Sequence, residues 1–131
     1  MTLVLDASVA VYAALAEDGF AEFDGEQLIA PPLMWSEARS ALHELVWRRE
    51  VTAQDGEMAF TQLERAPVSK TDHHELGREA WRFANELGWA KTYDAEYLAL
   101  ALLSDCQLVT MDARLRRATG HLGFVVSPAE L

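Results

Sequence analysis

Four acidic residues in this chain stand where a carboxylate can do more than solvate a surface. Asp6 ends the apolar run Leu3-Val4-Leu5, and Asp112 ends Gln107-Leu108-Val109-Thr110-Met111. Asp94 lies in the first turn of one helix-prone stretch, and Glu37 follows Pro32 by five residues on another. Two hydroxyls accompany them, Ser8 two residues after Asp6 and Thr110 two before Asp112. Oxygen donors without His or Cys favour Mg²⁺ or Mn²⁺ over Zn²⁺, and Mg²⁺ keeps waters and takes substrate phosphate oxygens. Such an ion lowers the pKa of a bound water, orients it and neutralises charge on a leaving oxygen, which suits phosphodiester hydrolysis. Each residue also has a plainer role open to it. Asp6, Ser8 and Asp112 can cap the helices that follow them. Asp94 can complement a helix dipole, Glu37 can be solvated, and Thr110 can be an ordinary β-branched strand residue. Only a shared location would lift the four acids above these roles.

The elements that would position them follow from periodicity and punctuation. Leu3-Val4-Leu5 predicts a buried strand, and Ala7 to Ala16 a helix. Asp24-Gly25-Glu26 is a turn, and Leu28-Ile29-Ala30 a second strand stopped by Pro31-Pro32. From Leu33 to Arg49, apolar Leu33, Met34, Ala38, Ala41, Leu42, Leu45 and Val46 recur at helical spacing, with Glu37 on the flank and Glu44 two turns later. Thr52-Ala53-Gln54-Asp55 opens a helix ending near Glu64, and Asp55 can reach back to the cap. Ala66-Pro67-Val68-Ser69 reads as a weak third strand, and His73 to Leu87 as a helix stopped by Gly88. His73 and His74 are adjacent, so they cannot share a helix face as a metal pair would, and a surface position is expected. Tyr93 to Ser104 forms the next helix, with Leu98, Ala101 and Leu102 as its core face. The Gln107 strand, a short helix from Ala113 and a last strand, Phe124-Val125-Val126, complete the chain.

Strands alternating with helices imply an α/β fold: a parallel sheet of about five strands, helices on both faces, one domain over residues 1–131. In that architecture helix starts and strand ends share one rim, where ligand sites of open sheets lie. Asp6 and Asp112 sit at strand ends and Asp94 at a helix start. Glu37 is about 7.5 Å into its helix at 1.5 Å per residue. All four can therefore converge. Two charges about 5 Å apart at an effective dielectric near 20 repel by roughly 3 kcal/mol, so a cation is expected among them.

Composition narrows the setting. The 131 residues carry 21 acidic and 11 basic side chains, a formal net charge of -10, which argues against loose, charge-driven nucleic-acid binding. It leaves room for a nuclease whose metals and local arginines face the phosphates. Arg114 and Arg117, three apart just after Asp112, are the candidate pair for that contact, with a solvated helix face as the alternative. No apolar run approaches membrane-spanning length, and no basic region precedes the apolar start, so a cytoplasmic protein is expected. The single cysteine, Cys106, cannot form an internal disulfide, and its neighbours predict a buried, reduced thiol.

Four segments, read in order, carry a family resemblance. They are Leu3-Val4-Leu5-Asp6-Ala7-Ser8, Pro32 with Glu37, Thr92-Tyr93-Asp94-Ala95-Glu96-Tyr97-Leu98-Ala99-Leu100-Ala101 and Leu108-Val109-Thr110-Met111-Asp112. Together they resemble the signature blocks of PIN-domain ribonucleases, and in length and wording those of the VapC toxins of toxin-antitoxin pairs. The resemblance implies metal-dependent endonucleolytic cleavage of RNA, with Asp6, Glu37, Asp94 and Asp112 as metal-site acids supported by Thr110 and Ser8. It further implies Mg²⁺ or Mn²⁺ as cofactor, a homodimer, and silencing by a VapB antitoxin whose tail enters the active-site groove. Residues 52 to 80 match no family block, which makes them a place for substrate and antitoxin choice. A receiver-type signalling module would need paired acids after the first strand and a late lysine, but the chain has a lone Asp6 and no lysine after Lys91. A dehalogenase-type phosphatase would need Asp-x-Asp where Asp6-Ala7-Ser8 stands. A catalytically silent PIN scaffold acting by protein contact is the remaining alternative.

Overall fold

In the computed structural model, which describes residues 1–131, five short strands form one parallel sheet: β1 (Thr2–Leu5), β2 (Gln27–Ala30), β3 (Val68–Lys70), β4 (Gln107–Val109) and β5 (Val125–Val126). Their order is β3-β2-β1-β4-β5, so the chain steps outward from β1 on one side and returns to β4 on the other. The reversal falls between β1 and β4, where Leu3, Val4 and Leu5 pair with Gln107, Leu108 and Val109. Crevices at such a switch point are where open parallel sheets bind ligands.

Six helices cover the sheet: α1 (Ala7–Leu15), α2 (Leu33–Trp47), α3 (Ala53–Glu64), α4 (Leu76–Leu87), α5 (Tyr93–Leu103) and α6 (Ala113–Thr119). α1, α2 and α3 pack on one another, whereas α5 packs on β1 and β4 with α4 against it. Because β1 and β4 are central, their side chains read as continuous apolar runs, and Leu3, Val4, Leu5, Leu108 and Val109 are all buried. α5 is apolar nearly all round: Ala95 and every residue from Tyr97 to Ala101 are buried. Such a helix is held by packing rather than by one amphipathic stripe.

Several expectations need correcting. The fourth helix starts at Leu76, not His73, because the His73 carbonyl and Nδ1 accept the amides of Leu76 and Glu75 in a turn ahead of it. His73 and His74 stack on each other there, outside any helix. β3 starts two residues later than expected, since Pro67 has no amide to give and the ladder with β2 begins at Val68. β5 is two residues long. Ala41 and Leu102 are exposed, each lying on the outward side of its helix. Cys106 is half-buried rather than enclosed.

α2 and α3 approach closely at Gly56. A Cβ there would stand 2.4 Å from Val46 Cγ2, far inside van der Waals contact. Gly56→Ala should therefore destabilise the protein by about 1–3 kcal/mol through overpacking, even though Ala favours a helix interior by about 1 kcal/mol. In a Val46→Ala background the same change should become neutral or stabilising. Denaturant unfolding of the four proteins measures both signs.

Candidate active site

The rim at the switch point is built from hydroxyl and carboxylate groups that hold one another. Asp6 ends β1 and caps α1, and it is only 6% exposed. Its Oδ1 accepts from the Val9 amide at 3.2 Å and the Ser8 hydroxyl at 2.5 Å, and its Oδ2 accepts from the Thr110 hydroxyl. Ser8 Oγ also accepts the Met111 amide at 3.0 Å, and Thr110 Oγ1 accepts the Asp112 amide at 3.0 Å. The ends of β1 and β4 are thus tied through side chains as well as through the ladder. Asp112 caps α6, its Oδ1 accepting the amides of Arg114 and Leu115 at 2.9 and 3.2 Å. Asp6 and Asp112 therefore cap helices from the same rim on which the four acids meet.

Glu37 and Asp94 enter from two helices. Glu37, on α2, accepts a 2.5 Å hydrogen bond on Oε1 from the hydroxyl of Tyr97, which is buried on α5 at 1% exposure. Asp94, in the first turn of α5, receives no hydrogen bond from the protein within its reach, and the Arg114 guanidinium is the cation that eases its charge. Desolvation raises the pKa of Asp6, partly offset by its hydrogen bonds to Ser8, Thr110 and Val9. Desolvation also raises Glu37, with Tyr97 opposing and the charges of Asp94 and Asp6 adding. Asp94 is raised by desolvation and by Asp112. The four acids therefore feel one another, which is what a shared rim requires.

No three of them stand close enough together to hold an ion as their side chains lie. The donor set nevertheless fits a hard cation. It is all oxygen, Asp94 takes no protein donor, and Mg²⁺ retains several waters so that not every acid needs to touch it. Tyr97 is a participant that sequence reasoning missed, although its place three residues after Asp94, on the same helical face, was a usable signal. Glu96 lies nearby and is also raised, by desolvation and by Glu37 and Asp72. Glu44 does not join the rim; it pairs with Arg48 at 2.6 Å in the open. Arg114 lies beside Asp94, and Arg117 is exposed on α6 without an ion pair.

A parallel α/β sheet with a hydroxyl-braced, all-oxygen acid cluster at its switch point defines a class suited to hard-cation chemistry on phosphates. The sequence profile of the PIN domain matches residues 3–120, and the chain belongs to the PIN-domain family. Ribonuclease VapC9 of Mycobacterium tuberculosis is 38% identical over 115 residues, covering 86% of this chain and 87% of its own length. The crystal structure of PAE2754 from Pyrobaculum aerophilum superposes with a TM-score of 0.75 at 25% identity, over 99% of this chain and 91% of that one. A chain of a toxin-antitoxin complex from Klebsiella pneumoniae shares the fold, with a TM-score of 0.61 at 17% identity over 96% and 97%.

The raised acids carry a sign for stability. A carboxyl whose folded pKa exceeds its unfolded value, about 4, contributes stability that is complete below that value and is lost as pH rises through the folded one. Metal-free protein should thus lose melting temperature between mildly acid and neutral pH through these groups. Asp94→Asn, which breaks no hydrogen bond of the folded chain, should flatten that fall. Mn²⁺ or Mg²⁺ should offset it in wild type, because an ion that binds only the folded site stabilises it. Thermal melts of both proteins from pH 5 to 8, in EDTA and in metal, test this; parallel curves for the two in EDTA would remove Asp94 from the cluster.

Proposed function

We propose that this chain is a metal-dependent endoribonuclease that hydrolyses RNA phosphodiester bonds as the toxin of a toxin-antitoxin pair, with residues 1–131 working as one cytoplasmic nuclease domain. One observation carries the reading: a desolvated Asp94 with no protein donor stands among the acids of a switch-point rim. Relatives named as VapC ribonucleases support it.

Asp6, Glu37, Asp94 and Asp112 are the residues to hold Mg²⁺ or Mn²⁺. When bound, the ion supplies an acidified water and neutralises charge at the leaving oxygen. The chain does the positioning. Ser8 and Thr110 fix the Asp6 carboxylate, and Tyr97 takes Oε1 of Glu37 and leaves Oε2 without a protein donor. Asp112 gives Oδ1 to the α6 amides and keeps Oδ2. Arg114 offers a guanidinium to an incoming phosphate, with Arg117 one turn further on α6.

A VapB-type antitoxin is the proposed partner, supported by the VapC names of the relatives and the fold shared with the Klebsiella complex. An apolar cavity of about 360 Å³ between α2 and α3, lined by Leu42, Val46, Phe60 and Leu63, offers it a seat. α3 lies within residues 52 to 80, outside the four signature blocks though inside the span matched to the PIN domain. Exposed Trp81 on α4 and Leu102 on α5 offer apolar surface for a homodimer.

Purified protein incubated with RNA should cut it in Mn²⁺ or Mg²⁺ and not in EDTA. Asp94→Asn and Asp112→Asn should each lose about a hundredfold or more with unchanged circular dichroism, and the double variant little beyond that, since the acids act as a unit. Near-normal cutting by either would return the protein to a scaffold. Tyr97→Phe should lose about 10- to 100-fold as a positioning residue, with a higher Mn²⁺ concentration for half-maximal activity. A purely structural Tyr97 would lower the melting temperature and leave that metal requirement alone.

A further inference from the structure

Resting on the ribonuclease reading above, we propose that Tyr93 is a base-stacking platform for the RNA nucleotide beside the cut, with Arg114 and Lys91 on its backbone phosphates. Tyr93 is the first residue of α5, and its neighbour Asp94, about 3.8 Å away at Cα, is the rim acid that takes no protein donor. The start of α5 lies at the rim, since Asp94 there feels the charge of Asp112. Helix side chains lean toward the N-terminus, so Tyr93 leans off the sheet at the rim's outer edge. It shares a helix face with Tyr97, one turn further on, which in turn lies three residues from Asp94. An RNA with its scissile phosphate at this rim brings the adjoining base within a side chain's reach of Tyr93.

The ring is open to solvent where the rest of its helix is sealed. Tyr93 is 56% exposed, whereas every residue from Tyr97 to Ala101 is buried, so little of the phenol serves the core. Other exposed aromatics stand elsewhere: Trp47 closes α2 at the end away from the rim, and Trp81 sits in the middle of α4. Cations flank Tyr93. Arg114 is near enough to Asp94 to ease its charge, Lys91 lies two residues before Tyr93, and both are exposed and outside any ion pair. Aromatic faces for bases, with cations tracking the phosphates, are how single-stranded RNA is held. Stacking also suits a chain of net charge -10, because its strength does not depend on a field that repels RNA. It ignores the hydrogen-bonding edge of the base, so Tyr93 fixes the position of the strand rather than the identity of the base.

A random-sequence single-stranded RNA pool, cut in Mn²⁺ and sequenced at its new ends, supplies a substrate and its cut site. On that substrate Tyr93→Ala should raise KM and lower kcat/KM by about 5- to 100-fold, the worth of one base–aromatic stack. Its kcat should stay within about threefold of wild type, because a stack made alike in ground and transition states is uniform binding. Tyr93→Phe and Tyr93→Trp should keep KM within about threefold of wild type, while Tyr93→Leu, apolar but not flat, should behave as Ala does. Copies of the substrate with an abasic site at each position near the cut then locate the stacked base. At one position its loss should weaken wild type about as much as Tyr93→Ala does, and cost the Tyr93→Ala protein less than about twofold. An unchanged KM in folded Tyr93→Ala and Tyr93→Leu proteins, or abasic losses that add to theirs at every position, overturns the proposal. So does a fall in kcat with a raised Mn²⁺ requirement and an unchanged KM, which assigns the ring to holding Asp94. Unchanged cutting with weakened antitoxin binding assigns Tyr93 to a protein partner and overturns it equally. If wild type cuts no better than Asp94→Asn, the ribonuclease reading itself falls and takes the platform with it.

Discussion

A buried carboxylate held between two hydroxyls sets the terms for everything else in this fold. Asp6 is nearly enclosed, and burial of an ionised group without partners is strongly unfavourable. Thr110 and Ser8 supply those partners, one from the end of β4 and one from the start of α1. Both hydroxyls accept backbone amides in turn, from Asp112 and Met111. The charge is therefore tolerable only when β1, β4, α1 and the segment leading to α6 are all in place. The network that solvates Asp6 is the same one that aims Asp112.

The remaining acids lean on packing rather than on hydrogen bonds. α5 is locked against β1 and β4 by an almost wholly buried surface, and it carries Asp94 at its start and Tyr97 one turn later. A helix fixed that firmly can hold a carboxylate with no protein donor in a position that repulsion from Asp112 opposes. Tyr97 then reaches across to α2 and restrains Glu37. The apolar core and the polar rim are thus one construction: apolar burial supplies the stability, and the rim is where local rules are broken for function.

Legibility in the sequence followed the same division. Asp6, Asp94 and Asp112 could be placed because strand ends and helix starts of a parallel sheet share an edge, a rule that needs only element order. The coupling of Tyr97 to Glu37 spans 60 residues and depends on how α5 meets α2, which periodicity does not encode. The bond from Arg116 to Glu130 was out of reach for a similar reason, since the terminal 3-10 turn, Pro128–Glu130, was not anticipated. Boundaries slipped where turn chemistry ruled, at Pro67 before β3 and at the His73 turn before α4. α5 misled in a different way: an all-round apolar helix has no stripe to read, so Leu102 looked like core and projects outward instead.

Net charge completes the physical account of how RNA can be engaged at all. With 21 acids against 11 bases the long-range field repels a polyanion. Four of the bases are already committed, Arg39 to Glu64, Arg48 to Glu44, Arg82 to Glu79 and Glu86, and Arg116 to Glu130. Attraction has to be short-ranged and local, and the four rim acids are the worst place for a phosphate until their charge is offset. Arg114 offsets Asp94 in part. A divalent ion held there would do the rest, and affinity for RNA at this rim would then be thermodynamically linked to metal, each raising affinity for the other. Counterion release from phosphates at Arg114 and Arg117 would be small, and salt would also screen the repulsion between the acidic chain and its substrate. Selection among RNAs would then have to act at short range, through contacts that do not depend on the overall field.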